Sequence, residues 1–496
     1  MELLHRTILT TLGALSLIYV LIKFSLGYWK RRGILHEKPK FLWGNIKGVL
    51  PGKRHMYEAL QFIYDNYKER APFVGFYACI KPFVFVLDLD LVRHILVTDA
   101  GHFTTRGLYH NVNNEPLSGN LLQLDGHKWR ALHAQTKGVF TPSNMQKLLP
   151  QLLQVQAEFQ NTLATKVKER QTINISELVD NYNTDVISSL AFGLSGNSLQ
   201  FPQTEFHQMT RNYWNNFKLW KAYLSLEFPT LARLLQHKSY DECASEYFQK
   251  LVHTQLQQQR NTQRRDGEQL FNFLQFFSAT ERPLSDVQIA AQAFGFILAG
   301  MVPLNATLSF CLYELALKPE LQERTRLEIN KVLQQHNGLT AESLRELKYT
   351  KQVLNETLRL HTPYPFLLRR TTKSFEVPKS VFVIAHGNNV IIPTAAIHRD
   401  ASIYEEPLRF DPARFEAKAV NVRSDMSFLP FGAGLRGCIA QQFAEMQLLV
   451  GLVALLQHHR YTPCADTVIP LQYDTRKLLL VPKTDIRLIV ERIDSK

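Results

Sequence analysis

The stretch Phe428-Leu429-Pro430-Phe431-Gly432-Ala433-Gly434-Leu435-Arg436-Gly437-Cys438-Ile439-Ala440 delivers one cysteine from a glycine-rich turn to the start of an apolar helical run, Gln441 to Gln457. Backbone N–H groups and the helix dipole then face the Cys438 sulfur, lower its pKa and favour its thiolate. Gly432 and Gly434 permit a left-handed backbone and let a flat ligand approach closely, while Ala440 keeps the first helical turn thin. Phe431 shields the sulfur, and Arg436 offers a guanidinium to a nearby carboxylate. A thiolate under a flat, carboxylate-bearing disc is what a haem iron with a proximal cysteine requires.

The elements around this loop follow from pattern. Leu284 to Leu317 reads as a long apolar helix opened by Ser285-Asp286, an N-cap and an acidic first turn. Leu347 to Leu360 reads as a helix ended by Thr362-Pro363-Tyr364-Pro365, with Glu356 and Arg359 on one face. Such a pair is common on solvated helices. Helical periodicity also marks Lys53 to Lys68, Leu89 to Thr98, Met145 to Lys168, Ile175 to Phe192 and Phe201 to Lys221, and Phe73 to Asp88 reads as strand with a turn near Ile80-Lys81-Pro82. Asn212 to Lys221 interleaves aromatics with lysines, a composition suited to a membrane interface and equally to an ordinary amphipathic helix. Gln255 to Gln269 is polar and charged, an exposed helix end or loop.

At the N-terminus, Ile8 to Gly27 is apolar except for Lys23, long enough to cross a bilayer of about 30 Å. Lys30, Arg31 and Arg32 follow and hold the next segment in the cytosol by the positive-inside rule. The expected organisation is an anchor over 1–29, a linker over 30–40 and one large domain over 41–496. Five cysteines, an odd number without close pairs, argue against a disulfide framework and for a reducing compartment. The net charge of +13 leaves nucleic acid, an anionic membrane or an acidic protein as partners. No zinc-like cluster or aromatic-plus-basic RNA signature supports nucleic acid, so membrane and protein remain.

Phe431, Gly434, Arg436, Cys438 and Ala440 resemble the haem-binding loop of cytochrome P-450 proteins, with Ala440 where glycine is commoner. Gly27 to Ile34, Pro116 to Asn120 and Tyr313 to Ala316 look most like insect microsomal family-six members. The resemblance implies the haem-thiolate fold, mainly α with a minor β-sheet, plus one N-terminal transmembrane helix. It implies haem b, with Cys438 as axial ligand and Arg106, Trp129, His133, Arg369 and His398 around its edge. His133 stands where relatives carry arginine, a weaker and pH-dependent partner that predicts looser haem retention. Glu356, Arg359 and Arg414 resemble the buried triad that fixes the loop before the cysteine.

Oxygen-activating relatives read Ala-Gly-x-acid-Thr in the central helix; this chain has Ala299-Gly300-Met301-Val302-Pro303. Val302 cannot relay a proton, and Pro303 lacks hydroxyl and N–H and is expected to kink the helix. Three readings follow: water with Asn305 or Thr307 supplies protons, an oxygenated substrate or peroxide is used, or oxygen chemistry is lost. Ala299, Gly300, Asn305 and Thr307 are therefore the distal candidates. The resemblance implies a monooxygenase on the cytosolic face of the endoplasmic reticulum. Its partners would be NADPH-cytochrome P-450 reductase and cytochrome b5, and its substrate an apolar steroid, fatty acid or xenobiotic. The alternatives are a haem-dependent isomerase or peroxygenase, and a non-catalytic haem- or lipid-binding protein.

Overall fold

The computed structural model describes residues 1–216, 218–263, 271–280 and 283–493. Its centre is the helix Asp286–Ala316. Ser285 and Gln288 close a reciprocal capping box at its start: the Gln288 N–H donates to Ser285 Oγ at 3.3 Å and the Ser285 N–H to Gln288 Oε1 at 3.0 Å. The helix runs unbroken through Pro303, so the expected kink does not interrupt it. Pro303 still withholds an N–H from the Ala299 carbonyl one turn earlier. Packing on several sides holds the helix together, because residues along its whole length are buried.

Against this helix pack Ile175–Phe192, Pro142–Glu169 lies beyond, and Gln441–Leu456 follows the cysteine loop. Gln441–Leu456 is apolar nearly all round, as suits a helix enclosed by others. Phe201 to Lys221 resolves into Glu205–Asn216 and Leu219–Glu227, because Lys218 leaves helical geometry (φ −109°, ψ 109°). Of the aromatic and lysine-rich stretch, Tyr213 is buried, Trp220 is exposed, and Phe217 lies outside the described residues. Gln255 to Gln269 is the end of the helix Glu242–Gln263 as far as 263, with Leu256 and Gln259 buried and Gln257, Gln258, Arg260 and Asn261 exposed; 264–269 lie outside the described residues.

The minor sheet has four strands, Phe73–Ala78, Lys81–Val86, Asn389–Ile392 and Leu367–Arg370 in spatial order, antiparallel except for the central pair. It carries Arg369 on its last strand. The helix Glu2–Leu26 leaves most of its apolar surface outside the protein, as a single transmembrane helix must. Its base is not joined by a free linker. Trp29 is buried over Gly75, where an added Cβ would lie 2.4 Å from the indole, and the Trp29 Nε1–H donates to the Phe76 carbonyl at 3.2 Å. The Gly75 N–H donates to the Leu35 carbonyl at 2.8 Å, fastening segment 30–40 to the sheet.

Candidate active site

Leu429 to Ala440 descends as a turn whose Cys438 N–H donates to the Phe431 carbonyl at 2.8 Å. Gly432 and Gly434 both adopt φ near +65° (68° and 65°). At Gly434 an added Cβ would lie 1.7 Å from the Leu96 carbonyl oxygen, so no other residue fits that turn. Leu96 belongs to a π-helical turn, His94–Thr98, that follows Leu89–Arg93 and packs on the loop.

Above the loop lies a cavity of about 1370 Å³. Cys438, Phe431, Arg436 and Ala440 wall one side, and Phe296, Ala299, Gly300, Val302 and Pro303 of the central helix wall another. The sulfur is accessible from the cavity, yet protein encloses its other sides. That burial pushes the Cys438 thiol up, against the Ala440 N–H and the Arg106 charge, which pull it down. The helix begins only at Gln441, and desolvation outweighs one N–H.

Three guanidinium groups, Arg106, Arg369 and Arg436, also wall the cavity. Arg436 Nε donates to the Thr104 carbonyl at 2.7 Å, and its Nη2 to the Leu124 carbonyl at 2.9 Å and to Asp125 Oδ1 at 2.7 Å. Its Nη1 is buried without a hydrogen-bond partner. Burial first, and the neighbouring guanidiniums second, push Arg369 and Arg436 down to about 9. One carboxylate, Asp125, does not balance three cations, so this edge of the cavity is built for anionic groups. Asp125 was not singled out in the sequence; a lone Asp-Gly before a helix gives no signal that the Arg436 guanidinium and the Arg106 backbone N–H meet on it.

Trp129 is buried, with the Arg436 guanidinium 3.8 Å from its ring centroid. His133 lies one turn on, 4.8 Å from the same indole, and also walls the cavity. Burial, then Arg436, Lys137 and Arg106, lower its pKa, so it brings no charge at neutral pH. His398 does not wall the cavity. It is fully buried behind the loop, its Nε2 accepting the Leu429 N–H at 2.8 Å, and burial pushes it down to about 3. Its place is therefore structural, under the loop and away from the cavity.

Glu356 and Arg359 form a fully buried, two-point ion pair at 2.7 and 2.8 Å. Arg359 Nη1 also donates to the carbonyls of His398 at 2.7 Å and Pro407 at 2.8 Å, and Arg414 Nε lies 3.5 Å from Glu356 Oε1. The triad is assembled and ties three chain segments together. On the central helix, Thr307 Oγ1 donates to the Pro303 carbonyl at 2.8 Å. Asn305 is tied to Asn183 and to Asp180 Oδ1, facing Ile175–Phe192. Both residues line the cavity; Thr307 bonds within its own helix, one turn from Pro303, while Asn305 is engaged by the neighbouring helix.

A helical bundle with a minor sheet, a cysteine on a glycine-bent loop and an arginine cradle for a carboxylate-bearing ligand define a haem-thiolate protein. A family profile described as Cytochrome P-450 matches residues 36–490. The chain is 67% identical over 496 residues to Probable cytochrome P-450 6u1 of Drosophila melanogaster, covering 100% of both. It is 37% identical over 484 residues to Probable cytochrome P-450 6a13 of the same fly, with 96% of this chain and 97% of that protein covered. To the fly's Cytochrome P-450 6a2 it is 35% identical over 495 residues, with 96% and 98% covered. The chain belongs to the cytochrome P-450 superfamily, within insect family six, and is an enzyme of that monooxygenase family.

The site fits the family's haem. Cys438 would ligate the iron, and Arg106, Arg369 and Arg436, with Nη1 of the last unpartnered, would receive the propionates. When bound, the haem supplies an iron whose charge deprotonates the thiol and at which dioxygen is reduced.

Proposed function

We propose that this enzyme inserts one oxygen atom from dioxygen into an apolar small molecule, such as a steroid, fatty acid or xenobiotic. The balance is RH + O2 + NADPH + H⁺ → ROH + H2O + NADP⁺, with electrons passed through NADPH-cytochrome P-450 reductase and assisted by cytochrome b5. The observation that carries this reading is the cavity of about 1370 Å³ with Cys438 on one wall and an apolar helix face on the other. Phe296, Ala299, Val302, Pro303, Leu367 and Leu479 present carbon to a bound molecule, exclude water and orient it by shape. The basic run Lys30 to Arg32 supports a cytosolic domain on the endoplasmic reticulum. The net charge of +13 suits an acidic redox partner.

The test is reconstitution of the full-length haem protein with reductase in phospholipid, followed by mass spectrometry of steroid, fatty-acid and xenobiotic panels. Products gaining one oxygen atom only with NADPH support the reading. Turnover with cumene hydroperoxide but none with NADPH and reductase transfers the protein to the isomerase or peroxygenase class.

A further inference from the structure

A helical carbonyl is satisfied by the N–H four residues on, and the residue four after Ala299 is Pro303, which has no N–H to give. The Ala299 carbonyl is thereby released from the ladder of Asp286–Ala316, while the helix runs on past it. Its surroundings fix which way it opens. From Ile289 to Ala316 every residue is buried or half-buried except Ala299, which is exposed and walls the cavity. Pro303, one turn later on the same face, is half-buried and walls the same cavity, as do Phe296 and Val302 beside them. The flank of this strip is closed by Ile175–Phe192: a Cβ on Gly300 would lie 3.2 Å from Ile187 Cδ1, and Asn305 is bonded to Asn183 and Asp180. A helical carbonyl points along the axis from its own residue towards the one four further on. This one therefore lies between Ala299 and Pro303, on the strip that the cavity reaches. Thr307 does not fill the gap, because its Oγ1 donates to the Pro303 carbonyl at 2.8 Å.

We propose that the Ala299 carbonyl is a ligand subsite of the cavity and that it selects apolar molecules carrying a hydroxyl group, whose O–H it accepts. A carbonyl only accepts, so it recognises the donor of an alcohol and nothing in the matching ether. A hydrocarbon that expels water from this wall leaves the carbonyl buried and unpaired, whereas an alcohol of the same skeleton replaces the lost bond to water. Phe296, Val302 and Pro303 present carbon on either side, so this one polar contact fixes how the skeleton lies. Hydroxysteroids and long-chain alcohols share that chemistry. The inference names a substrate class for the proposed oxygenation and rests on that reading for its purpose, but binding alone tests it.

The full-length, haem-loaded ferric protein in phospholipid nanodiscs is titrated with dodecanol and dodecyl methyl ether, and with adamantanol and its methyl ether, while the Soret band is followed. Neither reductase nor NADPH is present, so a failure of oxygenation and a failure of this subsite are read separately. In the parent, each alcohol binds about three- to tenfold more tightly than its ether, and the band moves to shorter wavelength. Pro303→Ala returns an N–H to the Ala299 carbonyl and brings that ratio to about one. Val302→Ala, which opens the same wall without touching the backbone bond, keeps the parent ratio. The carbon monoxide difference band of each variant reports that the proximal site is intact. Should Pro303→Ala lose that band, Pro303→Val carries the same test, since it also restores the N–H and stays close to the proline in volume. Alcohols that bind no more tightly than their ethers, or a preference that survives the restored N–H, overturn the proposal. So does an alcohol-induced shift to longer wavelength, the sign that the hydroxyl ligates the iron instead.

Discussion

Arg436 braces the loop through Thr104, Leu124 and Asp125 and leaves its buried Nη1 without a protein partner, where it would meet the cofactor. His133, beside it, adds no charge, because burial and the surrounding cations disfavour its imidazolium. His133→Arg installs a fixed charge with fork geometry. Haem transfer to apomyoglobin is expected to slow by roughly tenfold, the worth of one charge-assisted hydrogen bond; an unchanged rate would show that His133 does not face the propionates. Glu115 gives a pH signature. Its Oε1 accepts the Tyr240 N–H at 2.7 Å, its Oε2 is buried without a hydrogen-bond partner, and burial pushes the carboxyl up to about 7. A carboxyl raised in the folded state binds more protons there than when unfolded, so its contribution is complete below about 4.5 and is lost as pH rises towards 7. The loss is on the order of 3 kcal/mol. Thermal midpoints of Glu115→Gln should therefore fall less than those of the parent between pH 5 and 7.

At the scale of elements, the helix Lys348–Leu360 holds two other segments, at His398 and at Pro407, through Arg359. Burial raises the Glu356 pKa despite its guanidinium partners, which indicates how much desolvation the pair must offset. Arg359→Lys keeps the charge but cannot reach Glu356, His398 and Pro407 together. It should cost about 3 to 5 kcal/mol and abolish the carbon monoxide difference band; a folded variant with a full band would refute the triad's role. The central helix teaches the opposite lesson. Its Pro303 is tolerated because neighbouring helices, rather than a complete hydrogen-bond ladder, hold it straight enough to stay helical.

On the scale of the whole molecule, exposed apolar side chains include those of the helix Glu2–Leu26, of Phe41, Leu42 and Trp43, and of Trp220, Leu224, Phe228, Leu231, Leu234 and Leu235. Removal of residues 1–26 should leave a protein that still floats with phospholipid vesicles. Adding Leu234→Asp and Leu235→Asp should release it into the soluble fraction; release by truncation alone would show that the patch carries no membrane affinity. The anchor, the central helix with its N-cap, the cysteine loop and the Glu356–Arg359 pair were legible in the sequence, because each is a local pattern of spacing, turn chemistry or periodicity. The fate of His398, behind the loop instead of at the cavity, was not, nor was the docking of Trp29 on Gly75. The convergence of Arg106, Arg369 and Arg436 with Asp125, and the tie from Asp180 to Asn305, join residues far apart in the chain. Sequence by itself determined which chemistry the chain carries, since a glycine-bent cysteine loop and a capped apolar helix are specified residue by residue; that the helix stays continuous through Pro303 was decided by packing. Only the tertiary structure decided the burial of Cys438 and the partners of Asn305, because long-range packing sets the local dielectric and brings hydrogen-bonding groups from distant segments together.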